Sequence, residues 1–122
     1  MFPFNLHRFR GEKLLDIRKE TGIWMKKNLP HPVRTMSRKP YIPYYADAIF
    51  FVTPPAFEDV INVAKANNIE YIIMDRDVDY ILRPQLRFLF NPDTVPENLK
   101  LIFGYSHPKT GEILIGVYRI EA

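Results

Sequence analysis

Ala48-Ile49-Phe50-Phe51-Val52-Thr53-Pro54-Pro55-Ala56-Phe57-Glu58-Asp59-Val60-Ile61-Asn62-Val63-Ala64-Lys65-Ala66-Asn67-Asn68-Ile69-Glu70-Tyr71-Ile72-Ile73-Met74 is the stretch whose reading decides the fold. Its first six residues are short, continuous, aromatic and β-branched, the pattern of a strand buried on both faces as in a parallel sheet. Pro54-Pro55 opens a helix, because proline is tolerated in a first turn. Glu58 and Asp59 complement the positive end of the helix dipole, and Phe57, Val60, Ile61 and Ala64 form the inner stripe. Asn67-Asn68 ends that helix, and Ile69–Met74 is a second apolar strand, expected to be central. A strand, a helix of about a dozen residues and another strand read as a βαβ crossover.

Upstream, Thr35-Met36-Ser37-Arg38-Lys39-Pro40-Tyr41-Ile42-Pro43-Tyr44-Tyr45 reads as the end of a strand, Val33–Ser37, running into a loop of two cations, two prolines and three tyrosines. Before it, Glu12–Leu29 reads as a helix. Leu14, Ile17, Thr21, Trp24, Met25 and Asn28 share one face at 3-4-3 spacing, and Lys13, Arg18, Lys19, Lys26 and Lys27 lie largely off it. Gly22 is a weak point where that helix could bend, and Leu29-Pro30-His31-Pro32 stops it. Downstream, Asp75–Asp79 leaves the sheet, and Tyr80–Phe90 reads as a weaker helix with Pro84 in its first turn or marking its start. Leu99–Tyr105 and Ile113–Ile120 form a hairpin across His107-Pro108-Lys109-Thr110-Gly111, with Gly111 suited to a positive φ. The expected fold is therefore α/β, a mixed sheet with helices packed on it, in the order α-β-β-α-β-α-β-β with a C-terminal antiparallel hairpin. Residues 1–11 read as a leader, linker or juxtamembrane segment, and 12–122 as one domain.

Composition bounds the chemistry. The chain has 122 residues, 47% hydrophobic and 14% aromatic, enough to build one core. It has no cysteine, which removes disulfides, thiolate zinc sites and a cysteine nucleophile together. No apolar run reaches the roughly 20 residues that span a bilayer, and residues 1–10 lack the order of a signal peptide. The net charge of +3 is uneven: residues 1–39 carry ten Lys and Arg against three acids, and the remainder is net acidic. A basic end with aromatics among its charges suits anionic headgroups or another polyanion, or is simply a solvated helix face. No nucleic-acid motif accompanies it, so nucleic acid is the least favoured partner.

Three groups of residues could carry chemistry. Arg38, Lys39, Tyr41, Tyr44 and Tyr45 form the best polar cluster: two cations beside three phenols can grip a phosphate or stack on a sugar ring, or the rings can simply cover the sheet edge. Asp75, Asp77 and Asp79 leave a strand at alternate positions and are weak candidates for a divalent ion. Against that, Asp79 can cap the next helix and Arg76 can neutralise its neighbours. His7, His31 and His107 are scattered without metal-ligand spacing, Ser37 and Ser106 lie outside any nucleophile elbow, and none of the five glycines falls between a strand and a helix. No catalytic residue and no cofactor is expected.

One family resemblance emerges from the order of these features. Trp24-Met25-Lys26-Lys27-Asn28-Leu29-Pro30 is followed by Ser37-Arg38-x-Pro40 with Tyr44-Tyr45, then by Tyr71-Ile72-Ile73-Met74-Asp75, and finally by a hairpin ending Val117-Tyr118-Arg119-Ile120. Over Ile23–Ile120 this resembles the soluble tail that follows the membrane helices of polytopic glycosyltransferases of the dolichyl-phosphate-mannose–protein mannosyltransferase type. The resemblance implies a non-catalytic, extracytoplasmic domain of an integral-membrane enzyme that uses a polyprenyl-phosphate sugar donor. The domain would aid acceptor access on the outer face of the membrane. It also implies that the catalytic acid lies in a loop between early transmembrane helices, outside this chain. The implied partners are the membrane part of the parent chain, anionic lipid headgroups, and a glycan or lipid phosphate. The residues alone leave a second reading open: a stand-alone α/β binding or regulatory module whose basic N-terminal helix docks on an acidic partner.

Overall fold

A computed structural model describes residues 5–121. Residues 1–4 of the expected leader, and Ala122, lie outside the described residues. The elements are β1 (Leu6–Arg8), α1 (Leu14–Asn28), β2 (Arg34–Ser37), α2 (Tyr41–Ala46), β3 (Ile49–Val52), α3 (Phe57–Ala66), β4 (Tyr71–Asp75), α4 (Arg76–Leu82), β5 (Leu99–Ser106) and β6 (Ile113–Ile120), with 3-10 turns at Pro84–Phe90 and Pro92–Thr94. The expected α/β class and order stand, with β1 and α2 as additional short elements.

The six strands form one mixed sheet in the order β1-β5-β6-β4-β2-β3. β2 pairs in parallel with both β3 and β4, β6 runs antiparallel to β4 and β5, and β1 pairs in parallel with β5. The crossover through α3 therefore steps over β2, which lies between β3 and β4. Leu6–Arg8, read from sequence as leader, supplies an edge strand.

β4 is buried at all five positions and divides the core by alternation. Ile72 and Met74 face one layer, with Val60 and Ala64 of α3 and Leu86, Leu89 and Phe90 of the 3-10 segment. Tyr71 and Ile73 face the other, with Ile17 and Met25 of α1 and Ile42 and Ala46 of α2. The hydroxyl of buried Tyr118 donates to the Leu89 carbonyl, which satisfies the one polar atom it carries into the first layer.

Three local expectations are corrected. β3 is an edge strand rather than one buried on both faces, with Ile49 41% and Val52 53% exposed, because only β2 flanks it. Residues 41–46 are helical rather than loop. Pro40 is the N-cap and Pro43 sits in the first turn, where a missing N–H has no cost. Asp47 closes α2 in the left-handed region at φ 53°. The helix after β4 begins at Arg76, well before Tyr80, because Asp75 caps it by accepting from the Asp77 amide. Pro84 then cannot donate to the Tyr80 carbonyl. That carbonyl accepts instead from Arg87 Nε at 2.6 Å, and the chain continues as 3-10 turns. Finally, α1 runs unbroken through Gly22 from Leu14 to Asn28, and the glycine has a packing role. A Cβ there would lie 2.4 Å from Tyr45 Cβ and 2.7 Å from the Ile42 carbonyl oxygen, so the glycine is what lets α2 lie against α1.

Candidate functional site

The carboxyl ends of β2, β3 and β4 point the same way. After β2 the chain turns to α2 in one layer, whereas after β3 and β4 it turns to α3 and to α4 with its 3-10 extension in the other. Loops that part to opposite faces leave a crevice outside the carboxyl ends, the position where open α/β sheets hold their ligands. Here it is lined by Ser37, Arg38, Lys39 and Tyr41 from the β2 side and by Asp75, Val78 and Asp79 from the β4 side, and it encloses about 10 Å³.

Each wall has a local cause. The Ser37 hydroxyl donates to the Lys39 carbonyl at 2.9 Å and holds the turn after β2. Thr53, directly after β3, donates its amide to the Ser37 carbonyl at 3.1 Å, and its own carbonyl accepts from Arg83 Nε at 2.8 Å. Asp79 reaches back from α4 so that Oδ2 accepts from the Asp75 amide at 2.8 Å. On the α1 side, Arg18 Nε donates to Asp75 Oδ2 at 2.6 Å and its Nη2 to Asp77 at 3.3 Å. Its guanidinium carbon lies 5.4 Å from the centre of the Tyr41 ring.

Burial sets the electrostatics. Asp79 is 1% exposed, and desolvation pushes its carboxyl up to about 6 despite the Asp75 amide and the nearby Arg83 and Arg38 charges. Desolvation also raises Asp75 above the usual carboxylate range, against the opposing pull of Arg18. Burial works against the charge on Arg18, and its bonds to Asp75 and Asp77 hold its pKa above the ordinary value. Within the described residues, three buried polar side-chain atoms have no hydrogen-bond partner: Arg38 Nε, Thr53 Oγ1 and Asp79 Oδ1. All three belong to the residues at or beside this crevice.

The sequence cluster is thus split. Arg38, Lys39 and Tyr41 face the crevice, while Tyr44 and Tyr45 turn to an open groove with Ile23, Lys26 and Lys27 of α1 and Asp47. There Tyr44 is 78% exposed, its ring stands edge-on to that of Tyr45 at 5.3 Å, and Lys19 Nζ lies 6.0 Å from the Tyr45 ring centre. The three aspartates are distributed as well. Asp75 caps α4 and Asp79 reaches back into the turn, the reverse of the capping expected from sequence. Arg18 is the neutralising cation, while Arg76 pairs with Glu112 at 3.0 Å. Among the described residues no group of three His, Asp or Glu side chains is placed to hold a metal ion. Arg18 and Arg83 are the site residues that sequence reasoning missed. The spacing on α1 set Arg18 largely off the buried face, 57 positions from Asp75, yet its side chain is only 12% exposed and bonds to the end of β4.

A scan against models of known protein families gives no match, and neither curated proteins nor solved structures give a significant one.

Proposed function

We propose that the chain is a non-catalytic, extracytoplasmic domain of an integral-membrane glycosyltransferase that uses a polyprenyl-phosphate sugar donor, tethered to the outer face of the membrane and aiding acceptor access. The observation that carries this reading is that its two most distinctive motifs meet in space. Ser37-Arg38-x-Pro40 and Tyr71–Asp75 end neighbouring parallel strands and supply opposite walls of one crevice. Motifs held together in this way fit a shared site rather than two unrelated sequence coincidences.

Two features support the rest of the reading. The groove of Lys26, Lys27, Tyr44 and Tyr45 presents cations beside amphipathic rings, the combination that rests on anionic headgroups. No described helix is long and apolar enough to cross a membrane, so the tether would be supplied by a segment upstream.

The test is fractionation of source cells with an antibody raised against residues 12–121. The expected outcome is a band far larger than this chain, confined to the membrane fraction, and loss of surface glycosylation when residues 12–121 are deleted from that product. A freely soluble band of this chain's own size would sink the proposal and favour a stand-alone binding module.

A further inference from the structure

The crevice is built around an unmet demand. Arg38 Nε is a buried donor and Asp79 Oδ1 a buried acceptor; both residues line a space of about 10 Å³, and neither atom has a partner among the described residues. That volume is close to the least that holds a single oxygen atom with its hydrogens. Leaving a charged donor and a charged acceptor unpaired in a buried site is unfavourable, so a group that reached both atoms would relieve both costs.

The signs of the two walls decide what that group is. A phosphate or carboxylate would meet Arg38 but also the carboxyls of Asp79 and Asp75. A metal or ammonium cation would meet the aspartates but also Arg38, with Arg83 close behind Asp79. A neutral hydroxyl satisfies both at once, donating its proton to Asp79 Oδ1 and accepting from Arg38 Nε. Tyr41 stands at the mouth, 46% exposed, so the carbon skeleton bearing that hydroxyl can lie against its ring.

We propose that the crevice between β2 and β4 is a binding site for a neutral polyhydroxylated ligand, a sugar or polyol. One hydroxyl enters between Arg38 and Asp79, and the ring or chain packs on Tyr41. The site is a property of this chain alone and can be tested without any membrane segment, so its failure is separable from failure of the tethering proposal.

The experiment is an NMR titration of the isotopically labelled chain with methyl α-D-mannopyranoside, myo-inositol and, separately, inorganic phosphate. A saturable change confined to Arg38 Nε–H, the Asp79 amide and the Tyr41 ring, given by a neutral polyol and not by phosphate, is the expected result. Arg38→Met should weaken it about tenfold, the loss of one charge-assisted hydrogen bond. Tyr41→Ala, at an exposed position that leaves the core intact, should weaken it about threefold. Unchanged shifts of β5 and β6 report that each variant is folded. No saturable change with either polyol means that the space holds water only and overturns the proposal, as does a change produced by phosphate and abolished in Arg38→Met.

Discussion

Two regions of this molecule draw on the same eight residues of sequence and behave oppositely. Arg38, Lys39 and Tyr41 lie at a crevice that is small, desolvated and polar; Tyr44 and Tyr45 lie three or four residues on, in a groove that is wide, wet and basic. The one turn of helix between them makes the division. Tyr41 and Tyr45, four residues apart, share one side of α2 and both meet α1, through Arg18 and Lys19, but Tyr41 lies at the carboxyl ends of the strands and Tyr45 one turn further along. A run of cations and tyrosines is therefore not one site because it is one stretch. In the crevice, charge is governed by desolvation and by a few fixed partners; in the groove, it is governed by water and salt.

The most drastic way to break the comparison is to unseat the helix that creates it. Gly22→Ala places a methyl group against Tyr45 Cβ and the Ile42 carbonyl. Neither is the free end of a flexible side chain, so α2 must move away from α1. The expected loss is about 3 kcal/mol of stability in denaturant unfolding. The Tyr41 and Tyr45 ring signals should shift together in the folded fraction. A loss below about 1 kcal/mol would mean that α2 can slide, and that the two regions are not fixed relative to each other.

A second measurement isolates the buried region by its proton linkage. The folded pKa of Asp79, about 6, lies above the value of an unfolded aspartate. The folded state thus holds the proton more tightly, and Asp75 shifts in the same direction. The contribution of Asp79 is favourable below about pH 4, declines as pH rises through about 6, and is constant above that, worth on the order of 2–3 kcal/mol, and Asp75 adds a change of the same sign. Asp79→Asn keeps an acceptor for the Asp75 amide and removes the charge. The variant should be more stable than the parent at pH 7, equal to it near pH 4, and free of most of the slope between. An unaltered slope would place the titration elsewhere and show that Asp79 is solvated.

How much of this could be read from the chain depended on whether the deciding contact was local. β4 was legible, because Tyr71–Met74 is apolar at every position, the pattern of a strand covered on both faces. The inner stripe of α3 was legible for the same reason, as were the hairpin and Gly111, which does take a positive φ of 75°. β3 looked equally buried but is an edge strand: composition reports how apolar a segment is, and strand order comes from the whole sheet. α2 was hidden by its prolines, which usually argue against a helix and here occupy the only positions where they do no harm. In the candidate site, the sequence grouped the right residues around Ser37 and Asp75 without showing that they face each other. It could not show Arg18 entering from α1, because that contact is made by tertiary packing and has no local pattern.

The smallest effect sharpens the comparison from the exposed side. Lys26→Gln removes one of the groove's cations at a position that touches neither core layer, so stability should stay within about 0.5 kcal/mol of the parent. Binding to vesicles containing anionic phospholipid should fall by about fivefold, near the 1 kcal/mol that one lysine contributes at a charged membrane surface. The remaining binding should vanish in about 1 M salt, where the Debye length shrinks to about 3 Å. Arg38→Met should leave vesicle binding unchanged, since its Nε is turned inward and buried. If Arg38→Met weakened vesicle binding as much as Lys26→Gln did, the crevice and the groove would be one electrostatic surface, and the division made by α2 would carry no functional meaning.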